Sequence, residues 1–281
     1  MLTVILGGSG NVGHELVRLH HVLGISVVVP KRDELAADSS FESVLQYLKI
    51  IRPKIVINCA AMLGLDNCEA NQAQAYGVNA ALPLRLAIAC QEINARLIQI
   101  STDSVFSGSN PNEPYLENSC PLPTTVYGLS KLLGEVAAKN CRLWTVVRLP
   151  LIYGRTRGGT LIVDKLLKKL AHDGAVKVAD DVLNTPVYIP AAVRWIQDHV
   201  INSDIYYNQT IHIFSNRRTS LYDFFSEVAS KGNLTGTIIP VNSESFITKV
   251  KKPKYGGLSS IFHAGLDHEN MIAHYINSLG E

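Results

Sequence analysis

The chain has 281 residues, of which 47% are hydrophobic and 18% charged, and a formal charge of +2. That length and apolar content can bury a large core, in one large domain or two intimately joined ones, and the near-neutral charge excludes the basic footprint of a nucleic-acid binder. No apolar run reaches the roughly 20 residues of a membrane-spanning helix, and five scattered cysteines without a C-x-x-C pair and nine histidines without ligand spacing predict reduced thiols, no catalytic metal and a cytoplasmic setting.

Taken in order, Leu2 to Leu6 is a β-prone apolar run suited to a buried parallel strand, and its glycine-rich continuation fits a first core strand rather than a signal peptide. It leads into Gly7-x-x-Gly10-x-x-Gly13, with Asn11 and Val12 opening a helix predicted over 11–23. That spacing allows a tight turn, close approach of the backbone to a pyrophosphate and tight packing of the helix, whose first amides attract the anion. A second strand is predicted over Ile25 to Val29. Its end carries Lys31 and Arg32 where an acidic residue would read a ribose 2′-hydroxyl, so the pair predicts a 2′-phosphate and hence NADPH over NADH.

A helix over Phe41 to Ile51 and a strand over Lys54 to Asn58 follow, and the small residues Cys59, Ala60 and Ala61 at the strand end let a cofactor lie against the backbone. A helix over Asn79 to Ile93 and a strand over Arg96 to Ile100 continue the β-α alternation of a doubly wound parallel sheet. That strand delivers Thr102 and Asp103 to the carboxyl edge, where ligands bind in open α/β folds, and Ser107 to Pro123 reads as a long loop over the site. Next comes Tyr127-Gly-Leu-Ser-Lys131, which sets a phenol and an ammonium one turn apart on one helix face. A phenol is a poor acid near neutral pH, and Lys131 is placed as the fixed cation that makes its ionised state accessible.

After a strand over Leu143 to Leu149 the rhythm loosens. Helices are predicted over 160–171, 190–200 and 221–229 and after Asp267, and Ile211 to Phe214 has the character of a strand returning to the sheet. The basic run from Lys249 to Lys254 reads as a solvated loop that a nucleotide diphosphate could also use. The expected organisation is a Rossmann-type dinucleotide-binding domain over 1–152 and a smaller mixed α/β substrate-binding region over 153–281, parts of which return to the main sheet.

These motifs, with Val78-Asn79-Ala80, Ser101-Thr102-Asp103-Ser104-Val105-Phe106, Gly134-Glu135 and Val147-Arg148-Leu149, resemble the extended short-chain dehydrogenase/reductases and, within them, the dTDP-4-dehydrorhamnose reductase family. The resemblance covers nearly the whole chain. It implies an NADPH-dependent reductase of a nucleotide-linked 4-keto-6-deoxyhexose, with Tyr127 the general acid, Lys131 the modulator of Tyr127 and a ligand of the nicotinamide ribose, and Thr102 the carbonyl-orienting hydroxyl. The implied cofactor set is Gly7, Gly10, Asn11, Val12, Gly13, Lys31, Arg32, Asp38, Cys59, Ala60, Ala61, Asn79 and Lys131. The implied substrate set is Thr102, Asp103, Ser104, Tyr127 and Leu151, and the resemblance allows a homodimer. Departures fall in the sugar pocket: the family commonly has Tyr at Ser104, an aromatic at Leu151, and Gln, Gly and Thr at Val182, Asn184 and Val187. Two other readings stay open. A nucleotide-sugar epimerase or 4,6-dehydratase is opposed by Ser104, where the dehydratases have Glu, and by the cations that favour an exchangeable NADP. A non-catalytic NADP-binding regulatory subunit, resembling that of methionine adenosyltransferase, is opposed by the intact Thr102, Tyr127 and Lys131.

Overall fold

The computed structural model describes residues 2–155, 161–248, 250–251 and 253–280. In chain order the elements of its first half are β1 (Thr3–Leu6), α1 (Asn11–Val22), β2 (Val27–Val28), α2 (Phe41–Ile51), β3 (Ile55–Asn58), α3 (Leu65–Ala70), α4 (Gln72–Tyr76), α5 (Leu82–Ile93), β4 (Arg96–Thr102), α6 (Val126–Ala138) and β5 (Trp144–Leu149). The second half holds β6 (Ile152–Tyr153), α7 (Ile162–Asp173), β7 (Ala175–Ala179), β8 (Leu183–Asn184), β9 (Val187–Tyr188), α8 (Ile189–Trp195), β10 (Gln209–His212), β11 (Thr219–Ser220), α9 (Leu221–Lys231), β12 (Thr237–Val241) and α10 (His268–Leu279).

The chain divides into two compact units, one of Met1–Val105, Pro121–Arg148 and Val193–Ile211, the other of Phe106–Cys120, Leu149–Ala192 and His212–Glu281. The split is therefore no single cut near residue 152, because the chain leaves the main sheet at the end of β5 and comes back at β10. In the first unit six strands lie in the order β10-β5-β4-β3-β1-β2. The described pairings of β1 with β2 and β3, and of β3 with β4, are parallel. This is the doubly wound α/β sheet expected of buried apolar strands joined by crossover helices. β1, β3 and β4 are buried along their whole length, and a core of Val4, Val44, Leu48, Val56, Leu86 and Leu97 packs α2 and α5 on the sheet.

Helix boundaries follow local chemistry. Ser40 caps α2 by accepting from Ser43 N, and Arg52 ends it in the left-handed conformation at φ 52°. The helix expected from Asn79 is preceded by a π-helical turn over Gly77–Ala81, and regular α-helix starts at Leu82 with Pro83 in its first turn. The second strand is only two residues long, and α3 and α4 lie in a stretch with no helical apolar period to announce them.

In the second unit Tyr153, Val163, Leu166, Phe224, Phe225, Ile272 and Tyr275 form a separate core, and among the described residues its strands pair as β11-β8, β12-β7 and β6-β9. Arg218 donates to the carbonyls of Asn110, Pro111 and Gly256, while Tyr115 and Gly257, and Tyr255 and Gly108, join by backbone bonds, so 106–120 is fastened to 253–261. Glu117 adds bonds from His212 N, Ser260 Oγ and Ile261 N. Of the basic run, Lys249 and Lys252 lie outside the described residues; Lys254 pairs with Asp181 at 2.6 Å, which also accepts from Ser243.

Candidate active site

The turn after β1 is built for close backbone approach. Gly7 has φ +73°, and a Cβ there would stand 2.6 Å from Ala60 N; a Cβ at Gly13 would stand 2.3 Å from Gly7 O. Only glycine permits either contact. Gly10 N donates to Gly7 O at 2.9 Å, and α1 starts immediately afterwards with no acidic residue in its first turn. The first amides of α1, at Asn11, Val12 and Gly13, thus form a helix N-terminus suited to an anion, which fits the pyrophosphate of a dinucleotide. Lys31, Arg32 and Asp38 are exposed in the turns following β2.

At the end of β3, Asn58 donates to Gln99 Oε1 on the neighbouring strand and accepts from Ala60 N, which holds the turn of Cys59, Ala60 and Ala61 in place. Asn79 is buried, not open to the turn: its amide exchanges bonds with Met62 N and O at 2.9 and 3.0 Å and donates to Ser130 Oγ at 3.0 Å. It binds Met62 to Ser130 of α6 and so braces the segment that follows β3.

The start of α6 is fixed from two sides. Thr125 Oγ1 accepts from Gly128 N, and Glu69 accepts from Val126 N at 2.9 Å. Cβ atoms at Gly128 and Gly134 would stand 2.1 Å from the carbonyls of Ser104 and Asn79, so these glycines let α6 lie directly on the turn after β4 and on the π-helical turn. That seating aligns successive residues of β4 with one face of α6. Ile100 O accepts from Lys131 Nζ at 2.7 Å, Ser101 Oγ donates to Glu135 Oε1 at 2.6 Å, and the Thr102 hydroxyl bonds Tyr127. Thr102 Oγ1 also lies within reach of Asp103 Oδ1 and Ser104 Oγ, and accepts from Ser104 N.

Electrostatics sharpen the picture. Burial pushes the Tyr127 phenol well above its ordinary range; the hydrogen bond from Thr102 opposes this, and the charges of Asp103 and Cys68 reinforce it. Burial lowers Lys131 to about 8, against the charges of Glu135 and Cys59, which raise it. Cys59 is itself pushed up to about 12 by burial, with Lys131 opposing. Among the causes of the Tyr127 shift, the hydrogen bond of Thr102 is the one that lowers it. Ser101, Glu135 and Arg148 join the site with no sequence spacing to announce them: Arg148 Nε and Nη2 grip Glu135 at 2.9 and 2.7 Å with both side chains buried.

Leu151 lies in the second unit, half-buried, where its N–H donates to Asn184 Oδ1 at 2.9 Å. Asn184 Oδ1 accepts from Thr185 N as well, so the amide that stands where the family commonly has Gly braces the backbone of Leu151. Among the described residues no group of three or more His, Cys, Asp or Glu could hold a metal ion.

The family model described as "RmlD substrate binding domain" matches residues 1–269. The chain is 29% identical over 267 residues to the spore coat polysaccharide biosynthesis protein SpsK of Bacillus subtilis, covering 94% of this chain and 91% of that one. It is 36% identical over 187 residues to the dTDP-4-dehydrorhamnose reductase of Streptomyces griseus, covering 66% of this chain and 60% of that protein. The crystal structure of Bacillus anthracis dTDP-4-dehydrorhamnose reductase in complex with NADP superimposes with a TM-score of 0.91 at 26% identity, over 99% of each chain.

Proposed function

The chain belongs to the RmlD substrate binding domain family, and from that membership we propose that it is an NADPH-dependent reductase of a dTDP-linked 4-keto-6-deoxyhexose. The observation that carries this reading is the alignment of Thr102, Tyr127 and Lys131 at the carboxyl end of β4, in the unit that also holds the glycine cradle. NADPH supplies the hydride to the ketone carbon. Thr102 donates to the carbonyl oxygen and holds it in register with the phenol, and Tyr127 gives its proton to the developing alkoxide. Raising the phenol by burial keeps that proton in place until charge develops on the substrate oxygen. Lys131 binds the nicotinamide ribose, and Gly7, Gly10 and Gly13 admit the pyrophosphate. The nucleotide diphosphate of the substrate provides binding energy remote from the reacting carbon.

Lys31 and Arg32 recognise the 2′-phosphate in this reading. Arg32→Ala is expected to raise KM for NADPH roughly tenfold or more and to leave KM for NADH unchanged, since a charge-assisted bond to phosphate is lost only with the former. Equal changes for both cofactors would remove the assignment. Ser104 and Leu151, with Val182, Asn184 and Val187, replace the family's usual aromatic and polar groups, so we assign the choice of sugar to them and test it with dTDP- and UDP-linked ketones side by side.

We also propose a homodimer. Leu129, Leu133 and Val136 recur along α6, and Leu84 and Ile88 along α5, as exposed apolar side chains at helical spacing; the two helices belong to the same unit. Sedimentation of the native protein as a dimer, and of Leu133→Lys/Val136→Lys as a folded monomer, is the expected outcome; a native monomer would refute it. No helix among the described residues is long and apolar enough to cross a membrane, and the free cysteines suit the cytoplasmic location we assign.

A further inference from the structure

Glu135 is one turn beyond Lys131 on the face of α6 that already carries Tyr127, and it is almost wholly inaccessible. Its carboxylate is held at three points: Ser101 Oγ at 2.6 Å and Arg148 Nε and Nη2 at 2.9 and 2.7 Å. A buried ion pair is a poor device for stability alone, because well-packed apolar residues do as well without desolvating two charges. Its position is informative instead. Ser101 lies between Ile100, whose carbonyl takes the Lys131 ammonium, and Thr102, whose hydroxyl meets the Tyr127 phenol. Resting on the functional reading above, we propose that Glu135 is a positioning residue, pinned by Ser101 and Arg148, whose carboxylate sets the register of α6 on β4 and keeps Lys131 in the place and charge state that cofactor binding needs.

The charged and titratable groups around Lys131 come from each neighbouring element. Glu135 and Tyr127 share its helix, Cys59 closes β3, and Arg148 on β5 faces Glu135. Of these, Glu135 and Cys59 act on the Lys131 charge, and burial alone pushes the ammonium toward neutrality. Cys59 holds its proton far above neutral pH, which leaves Glu135 as the anion that opposes the desolvation of Lys131.

The test compares the native chain, Glu135→Gln and the double variant Glu135→Gln/Arg148→Met, in which neither partner of the buried pair is left charged without the other. NADPH affinity is read by nucleotide fluorescence between about pH 6 and about pH 9, beside thermal unfolding of each protein. Both variants are expected to lose affinity at lower pH than the native chain: near-native binding at about pH 6 and roughly fivefold weaker binding at about pH 8, as follows from a drop of about one unit in a Lys131 that the native chain holds at about 8. The same alkaline limb should move in kcat/KM. Variants that unfold more easily but whose NADPH binding follows the native pH curve would overturn the proposal and leave a structural ion pair. Failure of the double variant to fold would also count against it, since the pair would then serve the fold itself. A native chain that does not bind NADPH at all would instead overturn the reductase reading.

Discussion

Tyr127→Phe is expected to leave NADPH binding unchanged and to cut turnover of the keto sugar by about 10²–10⁴-fold. The substitution removes one oxygen whose structural bond is to Thr102, and the ring still fills its half-buried place at the start of α6, so folding should survive. What is lost is the proton. Thr102 remains to orient the carbonyl, but its hydroxyl is far too weak an acid to neutralise an alkoxide, and water must do so instead. Steady-state kinetics with a parallel NADPH titration checks this. Persistence of the full effect of the chain in a partner's assay, with no native turnover to lose, would point to the regulatory alternative.

Lys131→Met should produce the opposite pairing of effects, a more stable protein with little activity. The folded chain releases the Lys131 proton at about 8, whereas an exposed lysine releases it near 10.5, so the unfolded chain binds more protons between these values and stability rises with pH through that window. Below pH 8 the buried ammonium is a burden that Met does not carry. After subtraction of the bond to Ile100 O, the variant should gain about 1–2 kcal/mol at neutral pH, and the native chain should approach it as pH rises. Activity should fall by about 10²–10³-fold, with weaker NADPH binding, because a fixed charge at the reaction centre is gone. Denaturant unfolding at two pH values decides the stability half; a variant less stable than the native chain at neutral pH would show that Glu135 and Ile100 more than repay the burial of Lys131.

Short-range chemistry was legible in the sequence. Gly7, Gly10 and Gly13 fall within seven consecutive residues, and Tyr127 and Lys131 are one helical turn apart, so spacing alone carries them. The parallel sheet followed from apolar runs alternating with helical patterns. What stayed hidden depends on residues far apart in the chain. Glu135 meets Ser101 and Arg148 only because α6 crosses between β4 and β5, and no spacing rule links three residues separated by 34 and 13 positions. Asn79 bonds Met62 and Ser130, 17 and 51 positions away, which its place in the π-helical turn over Gly77–Ala81 does not announce. In the second unit β6, β8, β9 and β11 have two residues each, too few to show alternation, and the bonds of Glu117 to 260–261 span more than 140 residues.

The most direct test is NADPH oxidation by the native chain given freshly generated dTDP- and UDP-linked 4-keto-6-deoxyhexoses, followed by loss of the reduced nicotinamide absorbance, with Tyr127→Phe as control. Oxidation with the dTDP-linked ketone by the native chain, and its near absence in the control, is the expected result. Native protein that binds NADPH yet reduces neither ketone, or a control as active as the native chain, would contradict it.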